Sequence, residues 1–125
     1  MSPAMFIFIA ALLNIGSKIP TALAMLKQPK GYDNRHPREQ QKRLESWGAR
    51  GLAAHQNTME GFPIFAAGML VMLINSPESS YINTLGYTYL ISRVLYIVLY
   101  VADIHLLRSL VWGVGFVASL ALFVV

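Results

Sequence analysis

The sequence has no cysteine. That excludes a disulfide framework, a thiolate zinc site and a cysteine nucleophile, so any thiol chemistry must use a thiol carried by a substrate. Charge is also scarce, with Asp, Glu, Lys and Arg making up 13% of residues, against about a quarter in an ordinary soluble domain. The three histidines are scattered without metal-ligand spacing, so no metal site is expected. Internal repeats and low-complexity tracts are missing as well. What is abundant is apolar surface: 55% of the 125 residues are hydrophobic and the mean hydropathy is +0.49. A chain of this length makes one domain, and it has too few polar side chains to coat that domain in water. A bilayer must supply the missing solvent.

Four apolar stretches can be cut from the chain, roughly Ala4 to Leu26, Gly51 to Ile74, Tyr81 to Ala102 and Leu107 to Val125. Each is close to the ~20 residues that a helix needs to cross the hydrocarbon core. The first has no basic leader and carries Asn14, Lys18 and Pro20, unlike a cleavable signal peptide, so it is expected to stay as a permanent helix. The segment of about residues 27–50 holds Pro29, Gly31, Pro37 and a run of charge, the composition of a solvated loop with a short helix over Arg38 to Glu45. The later links, Asn75 to Ser80 and Asp103 to Leu106, are short enough to make neighbouring helices antiparallel. The expected fold is a single all-α integral membrane domain, an antiparallel four-helix bundle.

Seven of the ten Lys and Arg residues lie between Lys27 and Arg50, interleaved with three acids. Their position beside apolar spans points to anchoring at a cytoplasmic membrane surface rather than to nucleic acid. The positive-inside rule then places the loop and Arg108 in the cytoplasm, with both termini outside.

Polar side chains inside spans are costly, so each needs a partner, a wet cavity or a task. The second stretch carries Arg50, His55, Gln56, Asn57 and Glu60. At ~100° per residue, Arg50 and Asn57 fall within about 20° of each other and Glu60 about 60° further round, giving one polar face. His55 points elsewhere, toward another helix or subunit. In the third stretch Tyr89, Arg93, Tyr96, Tyr100 and Asp103 fall within about 80° of arc. Asn57 and Tyr100 come to similar depth, and Arg108 opens the fourth helix at the same surface, so the stripes can converge on a cytoplasm-facing pocket. The same residues also fit plainer roles. Arg50 suits an interfacial anchor, Glu60 and Arg93 a buried interhelical pair, the tyrosines helix packing, and Gly61 and Gly68 close helix approach.

The run Arg50-Gly-Leu-Ala-Ala-His55-Gln-Asn57-Thr-Met-Glu60-Gly-Phe-Pro63-Ile-Phe65 resembles the second-helix signature of the MAPEG family, the membrane-associated proteins in eicosanoid and glutathione metabolism. Arg93-x-x-Tyr96-x-x-x-Tyr100, followed by Arg108, looks like the family's third and fourth helices. The likeness runs along the whole chain and is that of a bacterial-type member resembling microsomal glutathione transferases. It implies a homotrimer with glutathione, as co-substrate, in a cytosol-facing cleft between subunits. Carried over, Asn57 and Glu60 hold the peptide's polar groups, Glu60 suiting the amino group, and Tyr96 and Tyr100 contact backbone and carboxylate. Arg50, His55 and Arg93 belong to the same binding set, and Arg108 sits by the sulfur as the catalytic residue. Ser109 and Trp112 flank that spot.

An Arg beside the sulfur also has an independent basis, because a cation stabilises a thiolate against its thiol. Some eicosanoid-forming members have a second Arg where this chain has Ala53, a polar group or Arg at Gln56, and an aromatic at Gly61. Lys27 or Lys30, reaching across a subunit boundary, are the candidate replacements. Two functions follow. One is a glutathione-dependent transferase or peroxidase acting on a lipophilic small molecule. The other is a non-catalytic lipid-binding or scaffold protein on the same fold. A proton-coupled exporter needs a carboxylate in its first helix, and this first helix has Lys18 and no acid.

Overall fold

The computed structural model describes residues 1–125 and is entirely helical. The six helices are α1 (Pro3–Gly16), α2 (Ile19–Leu26), α3 (Pro37–Lys42), α4 (Ser46–Asn75), α5 (Tyr81–Val101) and α6 (His105–Ala121). Three segments are long and apolar enough to cross a membrane: Pro3–Leu26, Ser46–Asn75 and Tyr81–Val101. The fourth apolar helix, α6, has 17 residues and is shorter.

The first apolar stretch is one rod with a break. Pro20 has no N–H and its ring crowds the carbonyl one turn back, so the α-helical ladder stops at Gly16 and restarts at Ile19. The Lys18 N–H instead closes a tighter turn on the Ile15 carbonyl at 3.2 Å. The basic loop contains the expected short helix, although α3 starts and ends earlier than the charge pattern suggests. The next helix starts at Ser46, five residues before the apolar stretch itself, because Trp47, Gly48 and Gly51 pack it onto α2 and the loop.

α4 is the hub and touches all five other helices, while α5 and α6 form the most extensive pair. Phe6, Phe65, Met69, Met72, Tyr89 and Leu122 anchor the main core. Many large apolar side chains, among them Leu12, Ile15, Leu70, Ile91, Leu110 and Val117, point outward, as expected where lipid or neighbouring subunits cover the surface.

Two glycines show how close this packing is. A Cβ on Gly68 would lie 2.8 Å from the Leu122 Cβ and 3.1 Å from the Ser119 carbonyl oxygen, a backbone atom that cannot swing aside. Gly113, one helix away, has open space around it. Gly68→Ala is therefore expected to destabilise by about 1–3 kcal/mol through overpacking. Gly113→Ala should be neutral, or stabilise by up to about 1 kcal/mol through helix propensity. Thermal unfolding in detergent checks both; equal effects would show that α4 and α6 are not in this register.

Candidate functional site

The turn between α5 and α6 sets the geometry. Asp103 takes a left-handed conformation, φ 64°, which a short polar side chain tolerates better than most. The Ile104 N–H then donates to the Leu99 carbonyl at 2.9 Å and closes the end of α5. Arg50 adds a second clasp, donating from Nε to the Val101 carbonyl at 3.1 Å and so tying the start of α4 to the last turn of α5. The chain reverses within three residues, so Arg108 in the first turn of α6 folds back over Tyr100. The guanidinium lies 4.1 Å from the ring centroid.

From there a row of cations and rings runs into the bundle. Tyr100 meets Tyr96 edge to face at 5.6 Å, and Tyr96 carries the Arg93 guanidinium at 4.3 Å. Arg93 is only 4% exposed. Both of its terminal nitrogens donate to Asn57 Oδ1, at 3.0 and 3.1 Å. The pairing of Arg93 with Glu60 that the sequence also permits does not form. Glu60 is exposed, and the chain's one ion pair is Lys42 with Glu39 on the loop. Two guanidinium groups thus sit in one row with no carboxylate between them.

Asn57, Tyr96, Tyr100, Arg108, Ser109 and Trp112 line a recess of about 180 Å³. Of the residues singled out from the sequence, the structure brings together Asn57, Arg93, Tyr96, Tyr100 and Arg108, and it puts Ser109 and Trp112 beside them. It places three others apart. Arg50 caps α5, and Glu60 projects outward one turn past Asn57. His55 faces the break in the first rod, where its Nδ1 lies 2.7 Å from Ser17 Oγ. The Ser17 hydroxyl gives its proton to the Asn14 carbonyl at 2.6 Å, which leaves His55 to donate through Nδ1. The neighbouring Asn14 Oδ1 is buried without a partner. Tyr89 and Asp103, in line with the stripe, also leave it. Tyr89 stacks on Phe65 at 3.8 Å in the core, and Asp103 serves the turn.

Gly61 is the position that the sequence reading understated. A Cβ there would stand 3.2 Å from Arg93 Nη1 and 3.7 Å from the Tyr89 hydroxyl. What approaches this glycine is a buried guanidinium and not a helix backbone. The signal was available, since Gly61 is one turn from Asn57 on the same face.

A family model described as the MAPEG family matches residues 3–125. No curated protein and no solved structure matches the chain.

Proposed function

Because the chain belongs to the MAPEG family, we propose that it is a glutathione-dependent membrane transferase or peroxidase that works as a homotrimer. The observation that carries this reading is Arg108, held on Tyr100 at the mouth of a recess that contains no acid to neutralise it. Such a cation suits an anion, and a thiolate is the anion that family membership favours. Glu60 supplies the complementary group. It is a carboxylate in an apolar helix with no partner in its own subunit, and a peptide amino group or a neighbouring chain would pair with it. A recess of about 180 Å³ falls short of the ~300 Å³ at which ligand pockets begin, so a second subunit is needed to wall it in. In that arrangement Arg50, His55 and Glu60 would meet glutathione or the adjoining chain, and the basic loop and Arg108 face the cytoplasm with the termini outside.

The chemistry follows from charge. Arg108 favours the thiolate, whose lone pair attacks an electrophilic carbon to form a C–S bond as the leaving group departs. With a hydroperoxide, sulfur takes the terminal oxygen as the O–O bond breaks, leaving a sulfenic acid on glutathione and releasing the alkoxide, which takes up a proton as the alcohol. A second glutathione then gives the disulfide and water. An apolar groove of about 590 Å³ between α5 and α6 includes Ser109, which also lines the recess, so a lipophile can lie beside the sulfur. The same groove favours the second reading, a non-catalytic lipid-binding protein.

Equilibrium binding of glutathione to the purified protein in detergent separates the two. Saturable binding below cytosolic millimolar concentrations, with ultraviolet absorbance from the thiolate, is the expected result. Saturable lipophile binding without any glutathione dependence would leave the non-catalytic reading standing.

A further inference from the structure

The loop between α2 and α4 is built as a cup. Gln40, only 2% exposed, stands at its centre. Its Nε2 donates to the Gly31 carbonyl at 2.9 Å, to Gln28 Oε1 at 3.1 Å and to the Met25 carbonyl at 3.2 Å. Its Oε1 accepts the Asp33 N–H at 2.8 Å. One side chain therefore ties the last turn of α2 to three points of the loop, and Gly31 at φ 70° provides the reversal that lets the chain wrap around it. The cup encloses about 580 Å³. Lys30, Arg35 and Arg43 line it, with Asp33 the one acid. That acid is engaged: its Oδ1 accepts the His36 N–H at 2.9 Å and the Arg35 N–H at 3.0 Å. These backbone bonds, the His36 one foremost, with His36 and Arg43 nearby, hold the Asp33 carboxyl below the usual carboxylate range. The cup therefore keeps a surplus of positive charge, set in a frame that needs little ordering when an anion arrives.

Its place at the end of a membrane-capable segment points to the source of the anion. The cup begins two residues after Leu26, the end of a membrane-capable segment. Tyr32 and Trp47 pack from the sides onto the small cluster of Ala24, Met25 and Leu44, and Lys27 lies over the Trp47 ring at 5.3 Å. Tyr and Trp at the end of a span, with a Lys beside them, mark the level of the lipid headgroups. We propose that the Gln40-centred cup is a binding site for the phosphate of an anionic phospholipid headgroup, separate from the recess at Arg108, with Lys30, Arg35 and Arg43 as its ligands.

The test uses the full chain in phosphatidylcholine vesicles containing a small fraction of brominated phosphatidylglycerol, with quenching of Trp47 as the readout. Trp112→Phe makes Trp47 the sole tryptophan. The expected result is preferential quenching by brominated phosphatidylglycerol over brominated phosphatidylcholine. That preference should fall roughly thirtyfold in Arg35→Gln/Arg43→Gln, in keeping with the weight of two cations at a membrane surface. Arg38→Gln/Lys42→Gln removes the same charge from α3 outside the cup and should keep most of the preference. Gln40→Leu changes no charge and should still lose it. Equal losses in the two double variants, or a preference that survives Gln40→Leu, would mean diffuse attraction by a basic loop and overturn the proposal. So would full competition by millimolar inorganic phosphate, which would make this a site for a soluble anion. None of these readouts depends on glutathione.

Discussion

Glutathione bound to the Arg108→Leu protein is expected to remain a thiol. A free thiol with pKa ~8.5 is only about 3% ionised at pH 7. Lowering it by about two units makes roughly three quarters of it thiolate and corresponds to about 2.7 kcal/mol of preference for the anion. Arg108 is placed to supply that preference. It is half-buried, it stands over Tyr100 and not beside a carboxylate, and it faces the recess. Its position in the first turn of α6 adds the positive field of a helix N-terminus. The leucine variant should lose the ultraviolet thiolate signal and, at pH 7, about twenty-five-fold in transfer activity, the ratio of three quarters to 3% ionised. Arg108→Lys keeps the charge but not the planar stacking on Tyr100, so it should retain part of the signal. A thiolate absorbance that persists in Arg108→Leu would assign thiol activation to another group.

The largest loss of stability is expected from Asn57→Leu. Arg93 keeps its full charge inside the bundle, and the only oxygen that accepts its hydrogen bonds is Asn57 Oδ1. Removing that acceptor leaves a buried cation with the Tyr96 ring against it and no hydrogen-bond acceptor, at a cost of about 2–4 kcal/mol. The double variant Asn57→Leu/Arg93→Met removes the charge together with its need for a partner and should recover most of the loss. Thermal unfolding of the wild type, both single variants and the double variant in detergent, without glutathione, completes the cycle. Independent, additive losses would show that the two side chains do not interact and would remove the inner end of the row.

Much of the helical frame was legible in the sequence because apolar runs of about twenty residues can do little else in a bilayer. Helical periodicity also carried the stripe on α5, since residues a turn apart must share a face. Tyr96 and Tyr100 with Arg93 follow that rule, as does Asn57 opposite them. The rule gives direction and not partners. Tyr89 shares the arc with Arg93, yet it stacks on Phe65 in the core because it is level with the middle of α4. Glu60 shares the polar face of Asn57, but its carboxylate is exposed and makes no ion pair, while both terminal nitrogens of Arg93 bond Asn57. His55, read as facing another helix or subunit, meets Ser17 of its own chain at the break caused by Pro20.

The sequence by itself determined an all-helical chain that belongs in a membrane, its polar faces and its family, because hydrophobicity, period and motif are local and additive along the chain. Only the tertiary structure decided which polar groups meet. That required the tight turn at Asp103 to lay Arg108 on Tyr100, the bare Gly61 to admit the Arg93 guanidinium, and the single side chain of Gln40 to gather the end of α2 and three points of the loop. Each of these depends on two segments arriving together at hydrogen-bonding or van der Waals distance, and neither segment alone carries that distance in its residues.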